Sequence, residues 1–176
     1  LSTIKGVEQL TGIRVNPYEE PQAEMMNNGA GVSIGSTAIP GNTIVDLLND
    51  AWTSVYGVNF SLGDGKARSV ILNVAGGGTV EVRKEQDGEA IATIEVSGSV
   101  FEDNAGELTE ELTGIVNSIY FVCTSGNVKI DSWRFSSEVT GIREVNGERV
   151  EGEKVKDEGF NGQCSMVNGK YIENGK

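Results

Sequence analysis

Carboxylates are the side chains in this sequence best placed to do chemistry. Histidine is absent, which removes the commonest general base near neutral pH and the commonest zinc ligand together. Hydrolytic chemistry would have to run on Asp and Glu alone. The densest group follows Phe101: Glu102, Asp103, Glu107, Glu110 and Glu111. A glycosidase needs an acid and a second carboxylate at a set separation, and Asp103 with Glu110 or Glu111 would be that pair. A hard cation would also accept such oxygens. These residues share one polar stretch with no apolar neighbourhood to raise an acid's pKa. The expectation for Val100 to Gly114 is a solvated loop with a short helical turn.

Asp131 is placed differently. It lies in Val128-Lys129-Ile130-Asp131-Ser132-Trp133-Arg134-Phe135, where apolar residues fall at 128 and 130 and then at 133 and 135. Two-residue alternation therefore slips between Asp131 and Ser132, which predicts a β-bulge that re-aims side chains. An edge strand with Asp131 in water is the alternative. Upstream, aromatic residues at 52, 56 and 60 put most of the bulk of the Trp52 to Phe60 segment on one strand face. Pattern alone leaves that face free to point inward or outward.

The elements that would carry these residues are strands. The chain has 24 glycines and 3 prolines among 176 residues and almost no helix-period segment, so it reads as short strands joined by tight turns. Candidates are Gln22 to Met26, Gly31 to Ile34, Thr43 to Leu48, Ala90 to Val96 and Ser118 to Cys123, with a turn at Ile39-Pro40-Gly41-Asn42. Ser69 to Ala75 and Thr79 to Lys84 flank Gly76-Gly77-Gly78 and are expected to form a hairpin. The triple glycine is followed by a strand where a phosphate cradle would need a helix N-terminus. Such spacing without crossover helices argues for an all-β, antiparallel β-sandwich. After Val139 the composition turns polar, and Asn146-Gly147, Asn161-Gly162, Asn168-Gly169 and Asn174-Gly175 recur as hairpin-turn signals. This C-terminal extension can form small ribbons but cannot hold a core of its own.

Charge and cysteine narrow the partners. Fourteen basic against 26 acidic residues give a net charge of -12, which disfavours nucleic acid and anionic membranes by repulsion. Neutral ligands or cations fit better. Cys123 and Cys164 are too few for a disulfide framework; one optional bridge is possible, and two free thiols are expected. No signal peptide is visible at Leu1 and no stretch is long enough for a membrane span, so an excised or processed piece is expected.

Several segments then occur in a familiar order: Gly6-Val7-Glu8-Gln9-Leu10, Asn16-Pro17-Tyr18, Gln22-Ala23-Glu24, Asn49-Asp50-Ala51-Trp52, Gly57-Val58-Asn59-Phe60, Gly77 to Arg83, and Ile130 to Phe135. Through them the chain resembles the family 6 carbohydrate-binding modules attached to family 43 glycoside hydrolases. The resemblance implies a jelly-roll β-sandwich at 17–138, a linker from a preceding hydrolase domain at 1–16, and an extension at 139–176. It implies a structural calcium held by Gln22, Glu24 and Asp131, which suits a hard cation's demand for oxygen. Trp133 and Phe135 are left to the core.

The family binds glycans in two places. In the loop site two aromatic rings clasp a sugar and an asparagine hydrogen-bonds it; the matching positions here are Asp46, Phe101 and Lys129, so one role of the three is plainly filled. Asp46 and Lys129 could still meet hydroxyls, or Lys129 an acidic substituent. On the concave face of one sheet a tryptophan and a serine match Trp52 and Ser54, and Tyr56 shares that face if the strand is regular. A line of such residues suits an extended glycan.

The resemblance implies a monomeric, non-catalytic module that holds a covalently linked hydrolase near plant cell-wall polysaccharide, xylan or arabinoxylan. The alternative, motivated by Asp46 and Lys129, is a spacer or docking sandwich that has lost glycan binding. The tail at Met166-Val167-Asn168-Gly169-Lys170-Tyr171-Ile172 resembles the start of a sorting region of secreted bacterial proteins, which implies export.

Overall fold

The computed structural model describes residues 14–37, 42–63 and 65–138, together with four short tail strands. The chain divides into two compact units, Leu1–Thr140 and Gly141–Lys176. In the first, β1 (Asn28–Ser36), β2 (Thr43–Asn59), β3 (Lys66–Arg83), β4 (Ala90–Thr113) and β5 (Ile115–Ser136) form one antiparallel ladder in the order β1-β2-β5-β3-β4. In the second, β6 (Ile142–Val145) pairs with β7 (Glu148–Glu151) and β8 (Ser165–Val167) with β9 (Lys170–Ile172). Gly6 to Leu10, Ile39-Pro40-Gly41, Asn146-Gly147, Asn161-Gly162, Asn168-Gly169, Asn174-Gly175 and Cys164 lie outside the described residues. No helix among those described is long and apolar enough to cross a membrane.

Strand length explains how one ladder makes a sandwich. Drawn straight at about 3.3 Å per residue, β5 would run to about 70 Å. Instead the rings of Phe121 and Trp133, both on β5, lie 5.5 Å apart. The strand folds back on itself. Register shifts line up across the ladder at Ala30/Val32 of β1, Leu48/Trp52 of β2, and Val74/Gly76 and Thr79/Val80 of β3. Such a row of bulges is a corner. One layer takes the first half of β2 and β3 with the second half of β4 and β5; the other layer takes the remaining halves. Between them Leu47, Phe60, Leu72, Val80, Ile119 and Ile130 are at most 1% exposed, each contributing about 1.5–3 kcal/mol by burial.

The corner corrects the hairpin expected at Gly76-Gly77-Gly78. Those residues pair with β4 on one side, Gly76 with Gly98 and Gly78 with Val96, and with β5 on the other, Gly76 with Val128 and Gly78 with Gly126. Gly76 and Gly78 have φ of 118° and 153°, and a Cβ on either would run into the carbonyl oxygens of Asn127 and Ser125. Glycine is needed here so that two strands can turn the corner in contact.

Three further expectations change. Val100 to Gly114 is no loop with a helical turn, since β4 continues to Thr113 and pairs with β3 as far as Lys66. Leu108 and Leu112 face inward while the acidic residues face out along an edge strand, where charge discourages pairing with other chains. Gln22 to Met26 is a 3-10 turn at Ala23–Met25 preceded by a single bridge from Gln22 to Ser132. Finally, 52, 56 and 60 do not share a face. Gly57, at φ 66°, reverses the alternation, so Phe60 packs edge-on against Phe135 at 5.0 Å while Trp52 and Tyr56 stay outward.

The bulge read from the slip at Asp131 is present. Asn73 pairs with Ser132 and Val74 with Ile130, so Asp131 is the extra residue. It belongs to β5, the central strand rather than an edge.

Candidate functional site

Ala51, Thr53 and Val55 of β2 point into the core, at 2%, 3% and 1% exposure. Alternation therefore sends Trp52, Ser54 and Tyr56 to the outer face of that layer. Across the ladder Ser54 sits opposite Tyr120 and Tyr120 opposite Arg83, while Trp52 sits opposite Val122 and Val122 opposite Glu81. Trp52 and Tyr120 lie 5.5 Å apart, tilted by 54°. Burial, the nearby Tyr56 phenol and its hydrogen bond push the Tyr120 phenol up from its ordinary pKa. The result is a strip of three rings, Trp52, Tyr120 and Tyr56, half open to solvent. Ser54 lies beneath it, fully buried, its Oγ donating to the Asn28 carbonyl at 3.5 Å. Sugars suit such a strip because their C–H faces pack on rings while their hydroxyl rims need polar partners.

The polar partners stand one strand away. Arg83 donates to Glu81 Oε2 through Nε at 2.9 Å and Nη2 at 2.6 Å, and its Nη1 donates to the Gln86 carbonyl at 3.0 Å. Sequence reading missed Tyr120, Glu81 and Arg83. The first hides in an apolar run, Ile119 to Cys123, that looks buried on both faces; the other two alternate with Val80 and Val82, which was a usable signal.

The three loop-site candidates fall in one row. Asp46 sits opposite Lys129, Lys129 opposite Ala75, and Phe101 belongs to the stretch of β4 between the pairs Val74 with Glu102 and Gly76 with Gly98, beside Ala75. At about 4.8 Å per strand, Asp46 and Phe101 bracket about 14 Å. Asp46 Oδ1 is buried without a hydrogen-bond partner, and Lys129 is exposed. Phe101 is half-buried.

The three metal candidates come from both ends of the body. The Gln22 to Ser132 bridge and the Trp133 N–H donating to the Pro21 carbonyl at 3.0 Å hold the first turn against β5 beside Asp131. Glu24 Oε2 and Asp131 Oδ1 are both buried without partners. Among the described residues no group of three or more His, Cys, Asp and Glu is gathered; two carboxylates with an amide are a different kind of donor set.

The carboxylates of β4 are otherwise engaged. Asp103 accepts from Arg134 Nη2 at 2.6 Å and from Asn73 at 2.9 Å. These two bonds, the Arg134 bond foremost, hold its pKa below the ordinary value against a smaller effect of burial. Glu110 pairs with Lys84 at 2.6 Å and Glu111 with Arg68 at 2.9 Å. None is set in an apolar pocket as a general acid would need.

No protein-family model and no curated protein sequence matches this chain. Solved structures do. CsCBM6-3 from Clostridium stercorarium, in complex with cellobiose, is 25% identical with a TM-score of 0.62, covering 72% of this chain and 99% of its own. A family 6 carbohydrate-binding module from Clostridium cellulolyticum, in complex with xylose, is 25% identical with a TM-score of 0.60, covering 69% and 99%. The chain is similar in fold and in sequence to family 6 carbohydrate-binding modules. A family 43 hydrolase is similar as well: an arabinoxylan arabinofuranohydrolase of that family from Bacillus subtilis, in complex with cellotetraose, is 29% identical over 76% of this chain and 29% of its own, with a TM-score of 0.64. These similarities support a carbohydrate-binding module rather than an enzyme.

Proposed function

We propose that this module holds a covalently linked hydrolase against plant cell-wall polysaccharide, xylan or arabinoxylan, through the strip Trp52, Tyr120 and Tyr56. The observation that carries the reading is that strip: three outward rings on one sheet face, where a folded core would otherwise hide them. Ser54 supports the rings from below, and the hydroxyl rim of the sugar meets the polar side chains of β3. Affinity per module is modest, because a few stacked rings must offset the ordering of a flexible chain. Calorimetry and affinity electrophoresis on soluble xylan and arabinoxylan test it. Binding that falls about tenfold in Trp52→Ala supports the reading, and a wild type that binds no plant polysaccharide by either method sinks it in favour of a spacer or docking role.

A second site is favoured by the unpartnered Asp46 Oδ1. In the row Asp46, Lys129 and Phe101, the ring offers one stacking face and the two charged groups hydrogen-bond hydroxyls. Phe101→Ala together with Lys129→Ala separates the two sites, since only loop-site binding responds to it.

Calcium fits the donor set of Gln22, Glu24 and Asp131. Unpartnered carboxylate oxygens on a first turn and a last strand are what a hard cation would join, closing the sandwich at its ends. The boundaries follow: 1–16 as linker from the hydrolase, 17–138 as the module, and 139–176 as an extension serving export from a bacterial cell. The module works as a monomer, without nucleic-acid or membrane partners.

A further inference from the structure

The polar wall beside the ring strip is an ion pair rather than a set of neutral donors, and this bears on which glycans the strip accepts. Glu81 and Arg83 stand two residues apart on β3, so both side chains leave the same outer face as Trp52 and Tyr120. They sit directly across from Val122 and Tyr120. The guanidinium spends two donors on Glu81 Oε2 and a third on the Gln86 carbonyl. Side-chain exposures of 20% for Arg83 and 25% for Glu81 leave the pair open along one edge. Glu95, on β4 opposite Thr79, accepts from the Thr79 hydroxyl at 3.1 Å and adds a second carboxylate to this face. Arg83 thus stands directly across from Tyr120 with its charge already paired to Glu81.

We propose that Glu81 is a specificity-determining residue that masks the charge of Arg83 and confines the ring strip to uncharged stretches of glycan, excluding uronate-bearing ones. The inference rests on the ring strip as the binding surface. A pyranose stacked on Trp52 and Tyr120 places its hydroxyl rim about one strand spacing, 4.8 Å, from β3, over the pair. A neutral hydroxyl there donates to Glu81 Oε1, the carboxylate oxygen that Arg83 does not use. A uronate at the same place meets Glu81 and Glu95 and finds no free cation in return. The net charge of -12 works in the same direction over longer range.

The test uses the full chain and three ligands: xylohexaose, cellohexaose, and a xylo-oligosaccharide of similar length carrying one glucuronate, each titrated by calorimetry at low salt. The wild type is expected to favour the neutral chains. Glu81→Gln keeps an acceptor for Arg83 but removes the negative charge, so affinity for the glucuronate ligand should rise about fivefold relative to the neutral ones, the scale of one exposed ion pair. Adding Arg83→Gln to Glu81→Gln should abolish that gain. Thermal unfolding of each variant shows that it is folded before its affinities are compared. Trp52→Ala separates the two ideas. If it removes binding while Glu81→Gln leaves the neutral-to-acidic ratio unchanged, charge masking is wrong and the ring strip stands. If Trp52→Ala changes nothing, the ring strip itself is wrong. A gain that survives the double substitution also overturns the proposal, because Arg83 would not be its source.

Discussion

Asp103 illustrates how a residue that could do chemistry is instead bound into structure. Two hydrogen bonds depress its pKa, so it stabilises the fold above its unfolded-state pKa and ceases to as pH falls through the lower folded value. The side chain is 43% exposed, and solvent screening keeps the effect under about 1 kcal/mol. Urea unfolding of Asp103→Asn should therefore show a small deficit near pH 7 that shrinks below about pH 4; a deficit that stays constant with pH would mean that the charge is irrelevant. At this scale the sequence was partly legible. Asp131 could be singled out because a bulge leaves a local mark, a slip of one residue in an alternating run. Tyr120 could not, because Ile119, Phe121 and Cys123 around it make an apolar run that hides which face the tyrosine occupies. Ser54 shows the converse case, an outward position that is nevertheless sealed, by the neighbouring strand β1 and the rings on either side.

The strands themselves were found in pieces, and the joins were lost. Gly76-Gly77-Gly78 carries the same local signature whether a chain reverses or passes through a corner; only pairing with Val128, Asn127 and Gly126, some fifty residues away in sequence, separates the two. The acidic half of β4 was hidden for another reason, since edge position lets charges outnumber Leu108 and Leu112. The corner makes a direct comparison possible. Gly78→Ala forces a Cβ onto the Ser125 carbonyl at a φ that side chains avoid, whereas Gly77 has nothing within 4 Å of a Cβ. Denaturant unfolding should show Gly78→Ala losing at least about 2 kcal/mol and Gly77→Ala under about 1 kcal/mol. Equal losses would mean that the corner has no steric need for glycine.

At the scale of the molecule, the sandwich class followed from many short alternating segments with no helix to connect parallel strands. The single continuous ladder did not follow, because its closure depends on Phe121 meeting Trp133. The first turn joins the last strand through Gln22, Pro21 and Ser132, and calcium at Glu24 and Asp131 would tighten that junction. Adding calcium at a hundredfold excess over Kd should stabilise the fold by about 2.7 kcal/mol, read as a higher unfolding temperature that a chelator reverses. Asp131→Asn should lose most of that shift; an unfolding temperature indifferent to calcium would remove the cation from the account. The same junction has a topological consequence. The Phe135 N–H donates to the Pro17 carbonyl at 2.8 Å, so the two ends of the body lie side by side and their covalent order is incidental to the ladder. A circular permutant, with a short glycine-serine link from 138 to 17 and new ends opened at Gly65, which has nothing within 4 Å of a Cβ, should fold to the same sandwich with the same ring strip. In such a permutant a hydrolase could be fused on the opposite side of the body, turning the strip to face a different way relative to the enzyme it serves.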